Sequence, residues 1–231
     1  MFIVIACLGF VIASISFNLL MPSHKGLSKK DIKQQQKDNY QVCAKLTQFI
    51  RRIEPKGVIV SVGGEIGEVG HQNSNTDDLR AFMEGYKERL RKGLVGISKI
   101  SVQTGTSHGG VVKSDGSLDE VRLDFGTLNI LSGIAQKEFG LGGAVQHGAS
   151  TLPEEMFHKF PQNNTLEVHL ATGFQNMMFD SQYFPVDLKN KIYDWLKVNA
   201  ASERKEGETE EQFFYKARKK ALGPFKKEIM S

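Results

Sequence analysis

The chain has 231 residues, 40% of them hydrophobic and 24% charged, a length that points to one domain or two small ones with a sizeable core. Its 30 basic residues nearly match its 26 acidic ones, leaving a net charge of +4 that gives no sign of a nucleic-acid partner. Cys7 and Cys43 are the only cysteines; they form no disulfide framework and have no metal-ligand spacing, so a reducing, cytoplasmic setting is the default.

Residues 1–22 form an apolar segment without a charge up to Met21. It is almost long enough to cross a bilayer, so a membrane anchor or uncleaved signal is one reading, with membrane association through residues 1–21. Its β-branched residues Ile3, Val4, Ile5, Val11, Ile12 and Ile15 also suit strands of a truncated region. An unnatural start is the third reading.

Beyond Pro22, helix-like and strand-like stretches alternate. A helix is predicted from Ser28 through Ile50, stopped at Glu54-Pro55. The apolar run Val58–Val62 predicts a strand, followed by Gly63-Gly64-Glu65-Ile66-Gly67. The next helix starts at Asp77-Asp78 and closes at Gly93 as its cap. Ile97–Val102 predicts a strand, Thr127–Lys137 a helix, Gly143–Gln146 a strand, Pro153–Phe160 a helix and Leu166–Ala171 the last strand. Apolar strands separated by helices are the signature of parallel βαβ units. From Val186 the chain reads as a helical, polar extension, with a flexible linker over residues 202–209 before an amphipathic stretch from Phe213 to Ile229. The expected organisation is thus an apolar segment (1–22), an α/β region (23–185) and a C-terminal helical extension (186–231).

In such folds chemistry gathers at the carboxyl ends of the strands. Four predicted strands end in Glu65, in His108-Gly109, in His147-Gly148-Ala149-Ser150 and in Ala171-Thr172-Gly173. A strand that stops in His-Gly aims an imidazole along its axis, and the glycine lets backbone N–H groups approach whatever the imidazole holds. Two imidazoles with a carboxylate suit zinc or another divalent metal with an open position. Unhindered N–H groups with the Ser150 and Thr172 hydroxyls suit a phosphate oxyanion. Plainer roles stand beside these. Glu65 can cap a turn, Ser150 can cap the helix that Pro153 begins, and His71 and His158 read as solvated.

The stretches Gly64-Glu65-Ile66-Gly67, Gly105-Thr106-Ser107-His108-Gly109, Leu123-Asp124-Phe125, His147-Gly148-Ala149-Ser150-Thr151-Leu152-Pro153-Glu154 and Leu170-Ala171-Thr172 resemble the class II, metal-dependent fructose-bisphosphate and tagatose-bisphosphate aldolases. The resemblance implies an α/β fold of the (β/α)8 barrel type, here incomplete with about the last four strands. It implies a zinc ion that polarises a ketose-phosphate carbonyl, in reversible cleavage to dihydroxyacetone phosphate and glyceraldehyde 3-phosphate, the chemistry of glycolysis. His108 and His147 would be metal ligands, and Glu65 the acidic residue acting at the metal. Gly109, Gly148, Ala149 and Ser150, with His169, Leu170, Ala171 and Thr172, would hold the sugar phosphate.

The family's His-x-Asp-His motif, which carries a third zinc histidine and the catalytic aspartate, is absent among the six histidines. The chain therefore reads as supplying part of the site, and the general base stays unnamed. The alternative is a non-catalytic half-barrel that binds a sugar phosphate or a partner chain. An open sheet edge leads to the expectation of a homo-oligomer, or of pairing with a missing N-terminal half.

Overall fold

The structure, a computed structural model, describes residues 28–67, 73–105, 113, 123–147, 149, 152–170 and 172–231. The apolar segment 1–22, with its three readings, lies outside the described residues. Among the described residues no helix is long and apolar enough to cross a membrane.

Four strands, β1 (Gly63–Glu65), β2 (Lys99–Val102), β3 (Ala144–Gln146) and β4 (Thr165–Val168), pair side by side in chain order, every neighbour parallel. Parallel neighbours require crossovers, and helices supply them. α1 (Lys29–Gln35) and α2 (Lys37–Ile53) precede β1. α3 (Thr76–Arg89) links β1 to β2, and α4 (Phe125–Phe139) lies between β2 and β3. A 3₁₀ turn (Glu154–Met156) and the short α5 (Lys159–Gln162) connect β3 to β4. This is the strand–helix alternation of a barrel segment. α6 (Thr172–Phe179), α7 (Val186–Asn199), α8 (Glu210–Ala217) and α9 (Lys226–Ile229) complete the chain.

The caps follow local chemistry. Ser28 and Asp31 form a reciprocal capping box on α1. The Asn75 side chain accepts the Asp77 and Asp78 N–H groups at the start of α3. Asp124 accepts the Thr127 N–H at 2.9 Å to open α4, which closes at Gly140.

Several boundaries differ from the sequence reading. The helix predicted from Ser28 is broken at Gln36, which ends α1 and caps α2. The run Val58–Val62 is not a strand. Arg51 donates to the Val60 carbonyl at 2.9 Å and Glu54 accepts the Val60 N–H at 2.9 Å, so side chains of α2 take the backbone groups a ladder would use. The ladder begins at Gly63 instead. α3 ends at Leu90 in an extended conformation, and Gly93 lies in the turn beyond it. The helix expected over Pro153–Phe160 is split into a 3₁₀ turn and α5. Residues 202–209 carry a 3₁₀ turn (Ala201–Glu203) and the Glu208 N–H donated to the Lys205 carbonyl. Gly223-Pro224 interrupts the stretch from Phe213 to Ile229, since proline cannot continue a helix.

The helix-facing side of the sheet carries Ile100, Val102 and Ala144, all buried with Leu79, Phe82, Met83, Tyr86, Leu128 and Leu131. α2 approaches α3 closely because Gly85 has no side chain; a Cβ there would overlap the Tyr40 ring. Deep in this layer the Tyr86 hydroxyl donates to Thr47 at 3.2 Å and accepts the Ile97 N–H at 3.0 Å. A second apolar cluster joins Phe179 to Ile192, Leu196, Phe213, Ala217, Ala221 and Phe225. Buried Arg218 ties it together through Asp180 at 2.8 Å and Asn176 at 2.5 Å.

Candidate functional site

Register decides which side chains meet. Glu65 pairs with Ser101, Ser101 with Val145, and Val145 with Glu167, and directly paired residues in a sheet share a face. Side chains alternate along a strand, so this face is opposite the one that carries Ile100 and Ala144. His147 is two residues beyond Val145, and His169 two beyond Glu167, on that same side. The His169 N–H donated to the Gln146 carbonyl at 2.9 Å carries the ladder past the end of β4 and keeps the two histidines level.

The loop after β1 is equally fixed. Gly67 has a φ of +83°, and a Cβ there would overlap the Ser74 hydroxyl. Ser74 donates to the Ile66 carbonyl at 3.1 Å and accepts the Gln103 N–H at 2.9 Å. Asn39, on α2, donates to the Glu65 carbonyl at 2.7 Å. Beneath the site, Thr104 donates to the buried side-chain oxygen of Gln146 at 2.5 Å.

The result is a continuous polar line over four strands. Glu65 Oε1 lies 3.1 Å from His147 Nδ1, and His147 Nε2 lies 2.9 Å from His169 Nδ1. His169 Nε2 is 3.1 Å from Glu167 Oε2. Lys99 Nζ, at the start of β2, is 2.7 Å from both oxygens of Glu167. Burial pushes the Glu167 carboxyl up, but hydrogen bonds from Lys99 and His169 outweigh it and hold the group below the usual carboxylate range. Burial, aided by the neighbouring His147 and Lys99, keeps the His169 imidazole below its ordinary value although Glu167 opposes this.

Of the residues singled out from sequence, Glu65, His147 and His169 meet at the ends of β1, β3 and β4. Thr172, three positions after His169, begins α6. Ala149 is buried in the main core, and the Leu170 side chain packs against that core, so Leu170 offers the site only its backbone. Asp124 is the cap of α4; the Thr127 hydroxyl and backbone hold its carboxyl below the usual range. His158 is exposed, as read from sequence. His108, Gly109, Gly148, Ser150 and Ala171 lie outside the described residues, as does His71. Glu167 and Lys99 were not singled out from sequence. Their signal is the two-residue period that places Glu167 on the face of His169.

Among the described residues no group of three or more His, Cys, Asp or Glu side chains is arranged to hold a metal ion. Two donors are of the right chemical type, an imidazole and a carboxylate. Glu65 Oε1 and His147 Nδ1 are separated by 3.1 Å, a hydrogen-bond distance slightly closer than the roughly 3.3–3.5 Å between neighbouring tetrahedral zinc ligands.

The family model for class-II fructose-bisphosphate aldolase matches residues 29–226. No curated protein matches the chain. Among solved structures, it is similar to a Coccidioides immitis protein provisionally assigned as a fructose-1,6-biphosphate aldolase, with 16% identity and a TM-score of 0.40. The match covers 85% of this chain and 58% of that one.

Proposed function

This chain belongs to the class-II fructose-bisphosphate aldolase family, and from that premise we propose that it serves metal-dependent cleavage of a ketose bisphosphate to dihydroxyacetone phosphate and glyceraldehyde 3-phosphate. The observation that carries the proposal is the meeting of Glu65, His147 and His169 at the ends of three parallel strands, with 3.1 Å and 2.9 Å between their polar atoms. Active sites of (β/α) folds are built at that end of the sheet.

His147 and Glu65 would hold zinc or another divalent metal, with His108 as the further ligand. The metal, when bound, supplies Lewis acidity for the ketose carbonyl and stabilises negative charge developing on its oxygen. The chain's own part is to present imidazole and carboxylate donors at fixed spacing. Gly109, Gly148, Ala149 and Ser150, with the backbone of Leu170 and Ala171 and the side chains of His169 and Thr172, would bind the phosphate and hydroxyls of the sugar.

The test is cleavage of fructose 1,6-bisphosphate and tagatose 1,6-bisphosphate by the zinc-loaded full chain, compared with His147→Ala. Triose phosphate release that disappears in the variant supports the proposal. Equal release from both proteins contradicts it. Tight binding of the bisphosphates with no turnover by either protein favours the second reading, a sugar-phosphate-binding protein, for which the same polar face would serve.

A further inference from the structure

We infer that the outer face of α2 is a docking surface for this chain's own apolar segment, residues 1–21. Two opposite faces of α2 are free of charge. Tyr40, Ala44 and Thr47, spaced i, i+4 and i+7, are buried on the core side. Val42, Leu46, Phe49 and Ile53 repeat that spacing two residues on, about 200° around the helix, and so form a stripe on the far side. Leu46, Phe49 and Ile53 are 40%, 47% and 60% exposed. A helix that packs on a sheet by one face normally carries polar residues on the other, yet no charged side chain interrupts this stripe; Arg52 sits at its edge, with its guanidinium 5.2 Å from the centre of the Phe49 ring. The apolar surface continues past the helix. Arg51 donates to the Val60 and Val95 carbonyls at 2.9 Å and 2.7 Å, which ties both loops to the end of α2, and Val58, Ile59 and Val95 in those loops are exposed. Exposed apolar residues grouped in this way mark a contact surface.

The chain carries a matching cover. Residues 1–21, outside the described residues, hold no charged side chain and end seven residues before α1. Seven residues span at most about 25 Å, and the helical path from the start of α1 to Val42 rises about 20 Å, so the segment can reach the near end of the stripe. The stripe from Val42 to Ile53 is about 16 Å long, a length that 21 residues cover in any regular conformation. A linker this short holds the segment at an effective concentration on the order of millimolar, which favours it over a second copy of the chain. The contact needs no charge complementarity: removing apolar side chains of both partners from water drives it.

The test is photo-crosslinking of the full chain with Phe49 replaced by p-benzoylphenylalanine; as Phe49 is exposed, the replacement leaves the core intact. Asn129, exposed on α4, takes the same replacement as a control. Equal amounts of nitrogen-15-labelled and unlabelled protein are mixed and irradiated, in buffer and again with phosphatidylcholine vesicles, and the joined peptides are identified by mass. The expected result is a crosslink from position 49 to residues 1–21 within one chain, in both conditions, and its absence from position 129. Adding Leu46→Asp and Ile53→Asp, which would bury unpaired carboxylates under the segment, is expected to lower that crosslink about tenfold or more. Four results overturn the inference. Crosslinks joining labelled to unlabelled chains put a second copy on the stripe. Crosslinks to lipid, or loss of the internal crosslink when vesicles are added, put the stripe or the segment in a bilayer. No crosslink from position 49, or an internal crosslink that the two aspartates leave unchanged, shows that the stripe does not hold the segment.

Discussion

The two faces of the four-stranded sheet divide the work. Ile100, Val102 and Ala144 turn toward the helices and are sealed by Leu79, Phe82 and Leu128. Glu65, Lys99, His147, Glu167 and His169 turn the other way and satisfy one another through hydrogen bonds. Apolar burial is non-directional, so the first face can supply stability with many interchangeable contacts. The second depends on distances and proton positions, so single substitutions there should change chemistry while leaving the fold in place. The lesson is that stability and reactivity here are separable by side-chain parity along the same strands.

The sharpest break of that comparison is His147→Ala. It is expected to lower cleavage of the bisphosphate substrate by about a thousandfold or more, the scale of losing a metal ligand and its several kcal/mol of charge stabilisation, with the melting temperature of the metal-free chain nearly unchanged. A large loss of stability would mean that the polar face is a structural one.

On the opposite face the effects invert. Gly85→Ala drives a methyl group into the Tyr40 ring and should cost roughly 1–3 kcal/mol in chemical denaturation, a typical overpacking penalty. Zinc affinity should stay the same. A variant as stable as the wild type would show that α2 and α3 separate without cost. Tyr86→Phe removes the acceptor of the Ile97 N–H and the donor to Thr47; a loss of about 1–2 kcal/mol is expected from the unsatisfied groups.

The smallest effect sharpens the picture of α2. Burial pushes the Cys43 thiol up to about 11, with the Thr47 side chain partly opposing it. The thiolate is the reactive form, so alkylation of Cys43 in the native chain should be slow at neutral pH and rise only under strongly alkaline conditions. Rapid labelling at neutral pH would show that α2 opens readily.

Much of the fold was legible in the sequence. Short apolar runs ending in Gly-Gly-Glu and Gln-His-Gly sit where β1 and β3 end, and the Glu54-Pro55 stop and the α3 and α4 helices are found within a few residues. The run Val58–Val62 misled because hydropathy does not reveal that Arg51 and Glu54 capture the backbone of Val60. The break at Gln36 was hidden because no proline or glycine marks it. Within the site, Glu65 and His147 were visible through their strand-end motifs, and the structure brings them together. His169 was read as a substrate contact, and the structure places its ring 2.9 Å from His147. Glu167 and Lys99 escaped because an ion pair between residues 68 positions apart has no local signature; only the two-residue period of β4 links Glu167 to the histidine. His108 belongs to the expected site and lies outside the described residues.

The most direct test of the central claim is a cobalt(II) titration of the full chain followed by X-ray absorption of the bound ion. One equivalent bound through imidazole nitrogen and carboxylate oxygen, and lost in both His147→Ala and Glu65→Gln, is the predicted result. Absence of stoichiometric binding, or unchanged coordination in those variants, would contradict a metal site at the ends of β1 and β3.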